Sequence, residues 1–211
     1  MKCDKQSLHL YAVTDRSWLN GETLASQVEK SLKGGVSLVQ LREKELSYDD
    51  FLNEAYEIKA LCKKYSVPFI INDNVKIAIK CKADGIHIGQ KDMIASDVRK
   101  LVGYDIILGV SAQTVEQAIL AEKMGADYLG VGSVFSTSTK TDADSVSLET
   151  LKAICDAVSI PVVAIGGITE ENLTELKGSG ICGVALVSAI YSSHNIEEAC
   201  KKLYGKIKEV I

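Results

Sequence analysis

The segment Leu8-His9-Leu10-Tyr11-Ala12-Val13-Thr14-Asp15-Arg16 decides the fold. Its run from Leu8 to Val13 is apolar or aromatic with a β-branched end and reads as a strand. The run ends in Thr14-Asp15-Arg16, not in the glycine-rich turn that opens a doubly wound dinucleotide-binding sheet. Working outward, comparable runs recur at Leu38–Arg42, Phe69–Asn72, Gly85–Ile88, Ile106–Val110, Tyr128–Val131, Val162–Ile165 and Gly183–Val187, with amphipathic stretches between them. Strands that are apolar nearly throughout and alternate with helices indicate a parallel sheet covered by helices. Eight such units of about 26 residues fill the 211-residue chain and predict a single-domain (β/α)8 TIM barrel over 1–211, its core over about 8–204.

The connecting stretches carry helix punctuation. Phe51, Ala55, Ile58, Cys62 and Tyr65 repeat at 4-3-4-3 spacing after Ser47-x-x-Asp50, and Thr114-x-x-Gln117 opens Val115–Met124 in the same way. Gly34-Gly35, Gly103 and Gly125 fall where helices should stop. Pro68 and Pro161 stand just before strands, where a proline removes no central ladder bond.

Composition narrows the partners. With 46% hydrophobic and 25% charged residues the chain is neither disordered nor collagen-like. A formal charge of −4 without blocks of like sign suggests no nucleic-acid or membrane surface, which leaves small molecules as partners. No apolar stretch approaches the roughly 20 residues of a membrane helix, and the N-terminus lacks an apolar signal core, so a cytoplasmic protein is expected. Cys3, Cys62, Cys81, Cys155, Cys182 and Cys200 form no C-x-x-C pair and read as reduced, mostly buried residues.

Nearly every unusual polar cluster comes just after a strand, at the end where barrels build their sites. In Gln40-Leu41-Arg42-Glu43-Lys44, alternation aims Gln40, Arg42 and Lys44 to one side, and a guanidinium fork beside a mobile ammonium suits phosphate groups; a frayed, solvated strand end is the plainer reading. Asp73 and Asp92 come after neighbouring strands, so their carboxylates can converge on a hard cation such as Mg2+, or serve as turn caps. Gly166-Gly167 after the seventh strand and Ser188 after the eighth occupy the loops where barrels most often hold a phosphate; Gly-Gly alone also makes a tight turn. From Gly130 to Asp142 runs a hydroxyl-rich loop with its own cation, Lys140, suited to a ligand clamp or to an idle surface loop. His87, inside the fourth strand, reads as a packed or hydrogen-bonded imidazole. Neither a G-x-S-x-G elbow nor an H-E-x-x-H motif is present.

Taken together these motifs resemble the thiamine phosphate synthase family from about Leu8 to Tyr204. The resemblance runs through Tyr11-x-Val13-Thr14-Asp15, Gln40–Lys44, Ile71-Asn72-Asp73, Ala83–Asp92, Gly109-Val110-Ser111, Gly125–Tyr128, Thr137–Lys140, Val163–Ile168 and Val187–Ile190. Of these the Gln-Leu-Arg-Glu-Lys and Thr-Ser-Thr-Lys segments are the most specific. The resemblance implies a transferase of thiamine biosynthesis that joins hydroxymethylpyrimidine diphosphate to hydroxyethyl-methylthiazole phosphate and releases pyrophosphate. It assigns Gln40, Arg42, Glu43, Lys44, Asn72, Ser111 and Lys140 to the pyrimidine diphosphate, with Leu41 also substrate-binding and Arg42, Lys44, Ser111 and Lys140 as the catalytic set. Asp73 and Asp92 fall to Mg2+, and Thr137, Ser138, Thr139, Gly167, Val187 and Ser188 to the thiazole phosphate. A homo-oligomer is also implied. Asn74, Ser133 and Ser136 depart from the commonest pattern, which has a basic residue at the first position and prolines at the other two.

The nearest alternative is a thiazole tautomerase or a regulator-like relative that binds thiazole phosphate without synthase activity. Those tautomerases depend on a histidine shortly after the serine of the fifth loop, where this chain has Ser111-Ala112-Gln113. A sugar-phosphate isomerase or lyase needs a positioned acid–base pair, for which Glu43 and His87 are the candidates. A catalytically silent binding protein is the third alternative.

Overall fold

The computed structural model describes residues 3–90, 92–136 and 145–211. Thr137, Ser138, Thr139 and Lys140 lie outside the described residues. Within them eight parallel strands close into a barrel in chain order: β1 (Leu10–Val13), β2 (Leu38–Leu41), β3 (Phe69–Asn72), β4 (Gly85–Ile88), β5 (Ile107–Ala112), β6 (Tyr128–Val131), β7 (Val162–Ile165) and β8 (Gly183–Leu186). Closure is made by β1, which pairs with β2 on one side and β8 on the other. Around them lie α1 (Leu24–Lys33), α2 (Tyr48–Lys64), α3 (Val75–Cys81), α4 (Ala95–Val102), α5 (Val115–Lys123), α6 (Leu148–Ala157), the short α7 (Ser188–Tyr191) and α8 (Ile196–Val210).

The helix signals act as their chemistry requires. Ser47 caps α2 by accepting from the Asp50 N–H at 3.1 Å, and Phe51, Ala55, Ile58 and Cys62 are the face it buries. Thr114 caps α5 through the Gln117 N–H at 3.2 Å, and the Gln117 side chain returns to the Gln113 N–H at 2.8 Å. Asn74, a departure from the family pattern, caps α3 by accepting from Ile77 N–H at 3.1 Å.

The first strand begins two residues later than the apolar run suggests. Asp4 accepts from the Gln6 N–H at 3.2 Å and starts a 3-10 turn over Lys5–Leu8. That turn delivers Leu8 into the barrel floor, so its hydrophobicity reflects the core and not the strand. Gly183 is required beside it, because a Cβ there would stand 1.9 Å from the Leu8 carbonyl oxygen.

Strand alternation divides the core into two layers. Outside, helix faces pack on residues such as Val39, Leu41, Ile71, Ile86 and Leu129. Inside, Leu8, Tyr11, Leu38, Ile70, Ile107, Tyr128 and Val163 fill the lower barrel. Each fully buried aliphatic or aromatic side chain contributes about 1.5–3 kcal/mol, so the inner layer makes a solid floor on which a site can stand. After β1 a second 3-10 turn, Arg16–Trp18, leads to α1, with Trp18 packed partly buried on the outer core.

Candidate functional site

Along β2, β3 and β5 the inward positions change from apolar at the floor to polar at the mouth. On β2 Leu38 gives way to Gln40, on β3 Ile70 to Asn72, and on β5 Ile107 and Gly109 to Ser111. Above the floor opens a cavity of about 470 Å3, a size suited to small metabolites.

One wall gathers charge. Arg42 is held at its backbone by Thr14, whose Oγ1 accepts the Arg42 N–H at 2.9 Å, and at its guanidinium by Asp15 at 3.5 Å. Lys44 Nζ donates to Asp73 Oδ2 at 2.6 Å, and Asn72 Nδ2 donates to Asp73 Oδ1 at 2.6 Å. Asp73 takes a left-handed backbone conformation, φ 59°, as the chain turns from β3 into α3. Asp92 Oδ2 accepts the Gly89 N–H at 2.6 Å. Burial pushes the Asp92 carboxyl up, while the Gly89 N–H pulls it down and Asp73 beside it pushes it up.

Two facing carboxylates repel unless a cation or proton joins them, and their hard oxygens fit Mg2+. Among the described residues no group of three or more His, Cys, Asp or Glu side chains gathers. A metal here would therefore draw its remaining ligands from substrate phosphate and water, which is how Mg2+ is commonly held.

The opposite wall is backbone. Gly166 and Gly167 have φ of 98° and 65°, and a Cβ on Gly167 would lie 2.4 Å from the Ser136 carbonyl oxygen. That closeness arises because the chain after β6 folds across the end of β7, with Val134 N–H on the Ile165 carbonyl and Phe135 N–H on that of Gly166, both at 3.0 Å. Ser133 fixes the crossing by donating its hydroxyl to the Phe135 carbonyl at 2.6 Å. Ser188 opens α7 directly after Val187, and both line the cavity beside Gly167.

Beneath both walls runs a buried polar chain. Gln40 Nε2 donates to the Tyr11 hydroxyl, which lies 2.8 Å from the Tyr128 hydroxyl; His87 Nδ1 is 2.9 Å from Tyr128, and His87 Nε2 is 3.0 Å from Ser111 Oγ. With the Gln40 amide as donor, each tyrosine passes its own proton onward, and His87 accepts at Nδ1. Nε2 then carries the imidazole proton towards Ser111, leaving the serine hydroxyl to donate into the cavity. Burial raises both tyrosines well above their ordinary range, so they serve as neutral hydrogen-bond links.

Gln40, Arg42, Lys44, Asn72, Asp73, Asp92, Ser111, Gly167, Val187 and Ser188 all line the one cavity. Leu41 and Glu43 do not. Leu41 is fully buried under the helices, and Glu43 turns to Arg16, as alternation from Gln40 and Arg42 requires. His87 is hydrogen-bonded as its strand position suggests, and it also faces the cavity. Sequence reading passed over Tyr11 as a lining group and Tyr128 as its partner beneath the cavity. The available signal was parity: Tyr128 sits opposite Gly109, where a Cβ would stand 2.2 Å from the tyrosine ring, so a bulky inward residue is matched by an inward glycine.

Known proteins share this geometry and much of its sequence. A family model described as thiamine monophosphate synthase matches residues 10–190. A protein of Clostridium tetani named thiamine-phosphate synthase is 52% identical over 200 residues, covering 95% of this chain and 96% of that protein. Its namesake from Ruminiclostridium cellulolyticum is 55% identical over 194 residues, covering 92% of each chain. The solved structure of thiamine phosphate pyrophosphorylase from Pyrococcus furiosus superposes with a TM-score of 0.91 at 34% identity, covering 98% of both chains.

Proposed function

The chain belongs to the thiamine monophosphate synthase family, and from that premise we propose that it joins hydroxymethylpyrimidine diphosphate to hydroxyethyl-methylthiazole phosphate, giving thiamine phosphate and pyrophosphate. The observation that carries this reading is a single cavity with Arg42, Lys44, Asp73 and Asp92 on one wall and Gly167 and Ser188 on the other. Such a mouth suits one diphosphate and one monophosphate side by side.

The chemistry asks little of a base. The bond between the pyrimidine methylene carbon and the diphosphate oxygen breaks with its electron pair leaving on pyrophosphate. The aminopyrimidine ring stabilises the resulting cation, and the thiazole nitrogen then supplies the electron pair of the new carbon–nitrogen bond. No proton must be removed for the bond to form, which fits a cavity that holds His87 inside a hydrogen-bond chain.

Arg42 and Lys44 bind the departing diphosphate and offset its growing charge. Lys140 joins them in this role. Ser111 and Gln40 orient the pyrimidine over the tyrosine floor, and Asn72 holds Asp73 towards the cations. Gly167, Val187 and Ser188, with Thr137, Ser138 and Thr139, hold the thiazole phosphate and so bring both reacting atoms into line. Asp73 and Asp92 would hold Mg2+, which would supply positive charge to the diphosphate oxygens.

No helix among the described residues is long and apolar enough to cross a membrane. We take the protein as a cytoplasmic, single-domain homo-oligomer acting on small molecules, with no nucleic-acid partner. The test is to supply both substrates with Mg2+ and measure pyrophosphate release together with thiamine phosphate formation. Both products should appear in equal amounts, and absence of thiamine phosphate with both substrates present overturns the reading.

A further inference from the structure

The connection between β2 and α2 carries a carboxylate that the cavity does not use. Glu43 lies between Arg42 and Lys44, yet its side chain is only 3% exposed and is turned away from the mouth. Arg16, from the β1–α1 connection, donates Nε to Glu43 Oε2 at 2.8 Å and Nη2 to Glu54 Oε1 on α2. The other two oxygens, Glu43 Oε1 and Glu54 Oε2, are buried and receive no hydrogen bond among the described residues. Nε and Nη2 of one guanidinium thus hold the two carboxyl groups side by side. Ionised carboxylates are acceptors only, so two buried oxygens in this arrangement repel unless a proton lies between them.

We propose that Glu54 is a positioning residue that shares one proton with Glu43, and that this pair, gripped by Arg16, sets the direction in which Arg42 and Lys44 enter the mouth. The inference rests on the synthase reading for what the two cations bind. It also explains why a glutamate occurs between two phosphate-binding cations without touching the cavity. A carboxylate beside Arg42 and Lys44 would compete with the diphosphate; turned away and held by Arg16, it anchors the segment instead.

Burial raises the Glu54 carboxyl to about 7, with Glu43 pushing the same way and Arg16 opposing. The charged groups facing it are Arg16 from the β1–α1 connection and Glu43 from the β2–α2 connection. On the same segments, Asp15 is engaged with Arg42 and Asp50 with Ser47. The ordinary value for this group is 4.5, so between there and about 7 the folded protein keeps a proton that the unfolded chain has released. The stabilisation is full at the acidic end of that window and is lost as pH rises through about 7.

The experiment compares wild type, Glu54→Gln and Glu54→Ala with both substrates and Mg2+ from about pH 6 to about pH 8.5, alongside thermal unfolding over a wider acidic range. In Glu54→Gln the new amide donates permanently to Glu43 and its carbonyl accepts from Arg16. The substrate's own phosphate ionisation is common to all three proteins, so the difference between wild type and Glu54→Gln reports the shared proton alone. Across the range the KM for the pyrimidine diphosphate should rise about threefold more in wild type than in Glu54→Gln, and Glu54→Ala should raise it about tenfold throughout. The KM for thiazole phosphate should not change in any of them. Equal damage by the glutamine and alanine variants at the acidic end, or the same pH dependence in wild type and Glu54→Gln, overturns the proposal. Loss of thiamine phosphate formation in wild type at every pH overturns the synthase reading instead. The unfolding arm then still decides: the wild-type midpoint should fall from acidic to neutral pH more steeply than that of Glu54→Gln, and equal slopes refute the shared proton.

Discussion

Aspartates border the strands at both ends of this barrel and do opposite things there. Asp84 and Asp127, immediately before β4 and β6 at the floor, spend their oxygens on fixed donors: Asp84 accepts the Phe69 N–H at 2.9 Å, and Asp127 accepts the Leu108 N–H at 2.8 Å and Arg99 Nη2 at 2.7 Å. Asp73 and Asp92, after β3 and β4 at the mouth, face each other and a half-exposed lysine. Residue type and closeness to a strand are alike, so the function of a carboxylate here depends on which strand end it borders. The floor matches each charge with a partner built into the fold, and the mouth leaves part of that matching to a ligand.

Asp73→Asn tests the mouth most severely. Asparagine tolerates the left-handed backbone at this position, so the fold should survive while turnover falls by about 100-fold or more. Pyrophosphate release titrated against Mg2+ measures it, and an unchanged magnesium requirement removes Asp73 from the metal site. Asp127→Ala should invert that pattern. It removes the only carboxylate that the described residues place on the buried Arg99 guanidinium, 5% exposed, and the side-chain acceptor of the Leu108 N–H, at a cost of about 3 kcal/mol read from denaturant unfolding. Turnover per folded molecule should be unaffected.

Between the two ends lies the tyrosine chain, where Tyr128→Phe should have a mixed effect. Removing the hydroxyl unlinks Tyr11 from His87, costs about 1–3 kcal/mol, and frees the imidazole to change tautomer. Nitrogen chemical shifts of His87, one of three histidines, should show Nδ1 and Nε2 losing their distinct protonation, and the KM for the pyrimidine diphosphate should rise severalfold. Identical imidazole shifts in the two proteins refute the tautomer assignment. The smallest effect is spectroscopic. Burial raises Tyr11, Tyr128 and Tyr191 above the ordinary value of 10.0. The folded protein therefore holds protons that the unfolded chain releases, and stability falls as pH rises beyond about 10. Ultraviolet titration of the native protein should leave these three unionised, whereas the unfolded chain should titrate all eight.

The barrel was legible in the sequence because its signals are local. Runs of four apolar residues, serine and threonine caps, and glycine stops each depend on neighbours within a few positions, as Ser47 and Asp50 illustrate. The mouth was legible for a related reason: Arg42, Asp73, Ser111 and Ser188 all stand at or just past the ends of strands. Contacts between distant strands left no such trace. Tyr11 and Tyr128 meet across 117 positions, and Arg16 reaches Glu54 across 38. Leu8 misled for a different reason, since an apolar residue buried by a turn looks the same in sequence as one buried by a strand.

Trp18 is the chain's single tryptophan and closes the turn that Arg16 opens, and its carbonyl accepts from Gln27 Nε2 at 2.8 Å. Excited at the red edge of the indole band, the protein emits from one point only, two residues from the arginine that clasps Glu43 and Glu54. The β1–α1 connection thus carries its own optical reporter, able to register a change in its packing in real time without a dye, a label or a second fluorophore to subtract.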